Sequence, residues 1–169
     1  RSSDLKKENG TGKKQGKAFE KAQLTVKPRK EDDDASETEF PIVGIGASAG
    51  GLAAFETFFS SIPEDTGTGM AFVVVQHLAP NHKSILTNII QSYTSMEVFE
   101  VEDGMKVKPN CVYIIPPNTD MALLRGKLHL FIPAAPHGLR LPIDFFLCSL
   151  AQDMQERAIC IILSGTGSD

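Results

Sequence analysis

The sequence has no tryptophan, two tyrosines and three cysteines in 169 residues. Cys111, Cys148 and Cys160 are far apart along the chain and show no C-x-x-C pairing, which excludes a disulfide scaffold and a cysteine-rich zinc module. The four histidines are too scattered for a metal-ligand pattern. No apolar run approaches the ~20 residues that a membrane span requires. The first residues are charged and lack the apolar stretch of a secretory signal. A reducing, cytoplasmic setting without membrane insertion is therefore expected. Basic charge is scarce where a fold can form. Residues 1–30 hold ten Lys/Arg against three Asp/Glu, whereas residues 39–169 hold seven against thirteen. An acidic globular part lacks the face expected of a nucleic-acid binder.

The apolar share is 41%, enough for one sizeable core. Residues 1–38 are rich in Lys, Glu, Asp, Gly and Ser, and their few apolar residues keep no period, so they read as a disordered charged tail or linker. Residues 39–169 read as the domain. Pro41–Ala47, Met70–Val75, Cys111–Ile115 and Ala158–Leu163 are short apolar runs of the kind that form buried parallel strands. Gly50–Ile62 reads as a helix, with Leu52, Phe55, Phe59 and Ile62 spaced 3, 4, 3 on one stripe and Pro63 as its stop. Ser84–Gln91 reads as a short helix with Ile85, Leu86, Ile89 and Ile90 inward. Pro142 suits the first turn of a helix running to about Gln155, with Ile143, Phe146, Leu147 and Leu150 on one face. Met121–Leu124 and Lys127–Phe131 flank Arg125-Gly126 and suggest a hairpin, on which His129 alternates outward. Strands alternating with helices predict an α/β layered fold on a mainly parallel sheet.

The first strand–helix turn carries the strongest chemical signal. Gly46-Ala47-Ser48-Ala49-Gly50 matches G-x-S-x-G in the context that motif needs, with Gly51 behind it. Small residues permit a sharp turn that holds a serine hydroxyl up for attack, and a helix N-terminus offers N–H groups to a developing oxyanion. A serine there can equally cap the helix, and the turn alone leaves both readings open. Gly44-Ile45-Gly46-Ala47-Ser48-Ala49 also fits a loose G-x-G-x-x-A dinucleotide fingerprint. That fingerprint expects an acid after the second strand, where Gln76-His77 stands instead.

His77 follows Val73-Val74-Val75-Gln76, at the C-terminal end of the second strand, where sites assemble in open parallel sheets. Ser164-Gly165-Thr166-Gly167-Ser168-Asp169 follows the last strand at the same edge. Serine, histidine and aspartate then come in chain order Ser, His, Asp, unlike the Ser, Asp, His order of the α/β-hydrolases.

The stretches Ile42–Gly51, Val73–His77, Val112-Tyr113-Ile114-Ile115-Pro116-Pro117 and Ser164–Asp169, taken together, resemble the catalytic domain of the chemotaxis protein-glutamate methylesterases (CheB type). The resemblance runs from about Phe40 to the last residue, and Glu102-Asp103-Gly104 and the segment from Arg140 to Ser149 also fit it. It implies a doubly wound, mainly parallel, Rossmann-like three-layer sheet with a β-hairpin. It further implies hydrolysis of glutamyl methyl esters on methylated chemoreceptors, releasing methanol, with no metal or organic cofactor. Ser48 corresponds to the nucleophile, His77 to the base and Asp169 to the orienting acid, with Ala49 and Thr166 supporting the oxyanion. The family commonly has Met where Thr166 stands. Residues 1–38 are too short for the family's usual receiver domain and resemble the leader of proteins that fuse this esterase to a chemotaxis methyltransferase module. The family pattern continues past Asp169, so a truncated C-terminal part is expected. The competing function is a catalytically degenerate module that serves as an interaction or regulatory domain of a larger signalling protein.

Overall fold

The computed structural model describes residues 38–48, 51–63, 67–76, 85–133 and 141–163. The chain divides into two units, Arg1–Asp34 and Ala35–Asp169, and every described residue belongs to the second.

β1 (Ile42–Ala47), β2 (Ala71–Gln76) and β5 (Cys111–Ile114) are buried along their whole length, as strands covered on both faces must be. With β3 (Glu97–Glu100) and β8 (Ala158–Ile162) they form a five-stranded sheet in the order β3-β5-β2-β1-β8. Every pairing in it is parallel. A second, antiparallel sheet has the order β4-β7-β6, from β4 (Met105–Lys106), β6 (Asp120–Leu124) and β7 (Lys127–Phe131). Its hairpin turns at Arg125-Gly126, where both residues have positive φ (52° and 68°), the backbone a two-residue hairpin loop requires.

Successive strand residues face opposite ways, so each apolar strand feeds two cores. On one face, Val43, Ile45, Phe72 and Val74 meet Phe55 and Phe59 of α1 (Leu52–Ser60) and Leu86 and Ile90 of α2 (Ile85–Gln91). Phe58 and Phe59 both stand edge-on to Phe72, with ring centroids 6.1 and 6.0 Å away. On the other face, Ile42, Val73, Val75 and Tyr113 meet α3 (Pro142–Met154) and the hairpin residues Met121, Leu123 and Leu128. The result is the expected doubly wound three-layer α/β fold with a hairpin.

α3 lies unusually close to β1, and the glycines of β1 explain why. An ideal Cβ on Gly44 would sit 2.7 Å from both Leu147 Cδ2 and Leu150 Cδ2, and one on Gly46 would run into Ile143. The alternating glycines of the loose dinucleotide pattern therefore serve helix–strand packing. Two polar residues one turn apart on α3 fasten it to the hairpin. Ser149 Oγ accepts the Leu123 N–H at 3.0 Å. The Asp153 carboxylate accepts the N–H groups of Arg125 (2.7 Å) and Gly126 (2.9 Å).

Several expectations are corrected. Leu52 opens α1 on the outside, 42% exposed, so the buried stripe is Phe55 and Phe59, with Ile62 packing from beyond the helix end. Ile85 is exposed and Leu86 and Ile90 carry the contact of α2. Among the described residues β8 is the outermost strand on its side of the sheet, and Ile159, Cys160 and Ile162 are exposed there, where a buried strand is expected from the sequence. β3 and β4 were not foreseen, being four and two residues long and carrying Glu97, Glu100 and Lys106.

Candidate active site

The path of the chain through the sheet creates the site. From β1 the chain crosses by α1 to β2 on one side, and after α3 it returns to β8 on the other. The strand order reverses around β1, and in open sheets of this kind ligands bind beyond the carboxyl ends of the strands at such a reversal. The ends are in step. Ala47 is the register partner of Gln76, Gly46 of Ile162, and the Leu163 N–H reaches the Gly46 carbonyl at 2.9 Å. Beside β2, the Ile115 N–H bonds the Val74 carbonyl at 3.1 Å. The chain then turns through Pro116–Thr119, where the Thr119 hydroxyl donates to the Pro116 carbonyl at 2.7 Å.

Ser48 is the residue that leaves β1 at this edge. Ser48 does not cap α1. The N-cap of α1 is Gly51, with no side-chain capping bond, and Ser48 Oγ is buried without a hydrogen-bond partner among the described residues. An unpaired buried hydroxyl is costly and uncommon. Backbone bonds shape the turn: the Gly51 N–H donates to the Ser48 carbonyl at 2.9 Å. A Cβ at Gly51 would lie 2.7 Å from Ala47 Cβ and 3.1 Å from that carbonyl, so glycine permits the fold-back. Asn110, Asn118, Arg125 and Gln155 are the described non-glycine residues with positive φ. Ser48 is not among them, so it does not share the strained elbow of the α/β-hydrolases.

The residue that touches Ser48 is Gln76, which the sequence alone does not single out. Its Nε2 donates to the Ser48 carbonyl at 2.9 Å and bridges the ends of β2 and β1. The signal in the sequence was a lone polar residue closing the apolar run Ala71–Val75. His77, Ala49, Thr166 and Asp169 lie outside the described residues. In sequence His77 follows directly on Gln76, and Thr166 and Asp169 come within seven residues of the end of β8. Among the described residues no group of three His, Cys, Asp or Glu could hold a metal ion. His129 pairs instead with Asp103 on the hairpin, at 3.6 Å. No helix among them is long and apolar enough to cross a membrane.

A buried serine hydroxyl, unpaired among the described residues, at the switch point of a doubly wound sheet makes the end of β1 the candidate site of an α/β protein. A family model described as CheB methylesterase matches residues 43–169. The protein-glutamate methylesterase/protein-glutamine glutaminase of Thermotoga maritima is 33% identical over 132 residues, covering 76% of this chain and 38% of that protein. The protein-glutamate methylesterase/protein-glutamine glutaminase 1 of Syntrophomonas wolfei is 33% identical over 152 residues, covering 85% of this chain and 43% of its own length. The crystal structure of the Thermotoga maritima CheB methylesterase catalytic domain aligns with a TM-score of 0.65 at 31% identity, covering 77% of this chain and 70% of that one. The chain belongs to the CheB methylesterase family. It spans about two fifths of the length of these curated relatives.

Proposed function

We propose that this domain is a serine esterase that hydrolyses glutamyl methyl esters on methylated chemoreceptors. The observation that carries the reading is the unpartnered Ser48 hydroxyl at the carboxyl edge of the sheet, in a chain of this family. Ser48 Oγ attacks the ester carbonyl while His77 takes its proton. The N–H of Ala49 and the backbone around Thr166 stabilise the oxyanion. Collapse of the tetrahedral intermediate breaks the bond to the methoxy oxygen, and His77 returns the proton to release methanol. A water molecule, deprotonated by His77, then attacks the acyl-enzyme and frees the glutamate carboxylate and Ser48. Asp169 holds the imidazole in the tautomer that accepts from serine and stabilises its charged form. Residues 1–38 serve as a charged linker to the rest of the protein.

The test uses the whole protein that carries this domain. Wild type should release methanol from methylated receptor and be labelled at Ser48 by a fluorophosphonate. Ser48→Ala should lose both, with turnover lower by at least about 10³-fold. Near-native methanol release by Ser48→Ala would overturn the assignment.

A further inference from the structure

Gln76 is only 5% exposed at the end of an otherwise apolar strand. Burying an amide is unfavourable unless its polar atoms are paired. Here Nε2 is paired with the Ser48 carbonyl, while Oε1 is buried without a partner among the described residues. Methionine would fill similar space without leaving a buried acceptor unpaired, so simple packing does not account for an amide at this position. The group it grips is informative. The Ser48 carbonyl belongs to the peptide linking Ser48 to Ala49, and it is held from two directions, by Gln76 Nε2 and by the Gly51 N–H, both at 2.9 Å. Fixing that carbonyl from two sides fixes the backbone from which the Ser48 side chain springs.

We propose that Gln76 is a positioning residue that holds the Ser48 carbonyl, so that the Ser48 hydroxyl keeps one relation to the reacting carbonyl. The proposal rests on the reading of Ser48 as nucleophile. A nucleophile misplaced by about 1 Å loses on the order of 100-fold in rate, so a single hydrogen bond that prevents such drift has a large kinetic effect.

The test compares wild type, Gln76→Met and Gln76→Glu in the whole protein, read by fluorophosphonate labelling of Ser48 and by receptor demethylation. Gln76→Met keeps length and volume and removes the donor. It should label about 10- to 100-fold more slowly and lower kcat by a similar factor, with KM within about twofold and an unchanged thermal transition. Gln76→Glu supplies a readout that mere packing would not move. Ionised, it sets an acceptor against the Ser48 carbonyl; protonated, its O–H can donate to it. Burial raises the pKa of a carboxyl. The labelling rate of Gln76→Glu relative to wild type should therefore climb as pH falls from about 8 to 5. Gln76→Met labelling at the wild-type rate, or a pH-independent ratio for Gln76→Glu, overturns the proposal and leaves the nucleophile assignment standing. A wild type that is not labelled at Ser48 overturns that assignment and this proposal with it.

Discussion

Replacing Gly44 by alanine tests whether α3 is seated on β1 as closely as the glycines imply. The new methyl would lie 2.7 Å from Leu147 Cδ2, 2.7 Å from Leu150 Cδ2 and 3.1 Å from Phe146 Cε1. Phe146 and Leu150 are fully buried and have no free space to enter, whereas Leu147 is half-buried and can swing. Overpacking of this kind costs about 1–3 kcal/mol. Alanine recovers roughly 0.5–1 kcal/mol of backbone entropy relative to glycine in a strand. The expected net loss is about 1–2 kcal/mol, or on the order of 3–8 °C in Tm for a domain of this size. Chemical and thermal unfolding of Gly44→Ala, Leu147→Ala and the double variant measure it. Trimming Leu147 removes one of the two closest contacts, so the double variant should be more stable than the sum of the single losses predicts, with a coupling of about 0.5–1 kcal/mol. A Gly44→Ala protein with a raised Tm, or strictly additive losses, would show slack between α3 and β1 and refute the close-packing account.

Asp153→Ala should destabilise the domain by about 1–2 kcal/mol by removing the shared acceptor of the exposed Arg125 N–H and the part-buried Gly126 N–H at the hairpin turn, and Asp153→Asn, which keeps one acceptor, by about half as much; urea unfolding of the two variants checks the order. Tyr113, 2% exposed with its hydroxyl accepting the Lys108 N–H at 2.8 Å, has its pKa pushed up to about 12 by burial. Its folded pKa lies above the unfolded value of 10, so its contribution is fully present below pH 10 and is lost as pH rises through 10 to 12. Alkaline unfolding should therefore steepen in that window, by up to about 2–3 kcal/mol from this group, and Tyr113→Phe should flatten it; an identical pH profile for the two proteins would contradict the assignment.

What the sequence determined by itself is whatever depends on neighbours a few residues apart. The apolar runs at β1, β2 and β5, the start of α3 at Pro142 and the turn at Arg125-Gly126 are local matters of period, fixed φ and left-handed backbone, and the structure has them where the residues place them, whereas α1 ends at Ser60, three residues before Pro63. The G-x-S-x-G turn between β1 and α1 was legible for the same reason. What only the tertiary structure decided depends on which elements become neighbours. Leu52 and Ile85 fit their helical stripes and face outward, because the stripe a helix buries is set by the angle at which it meets the sheet. Asp153, Ser149 and Gln76 form bonds across 26 to 28 residues, a range over which no residue pattern operates. The same holds for Ser48. Its motif allowed a cap or a nucleophile with equal force, and only the structure shows that α1 starts at Gly51 without a side-chain cap while the serine hydroxyl at the end of β1 is buried and, among the described residues, unpaired.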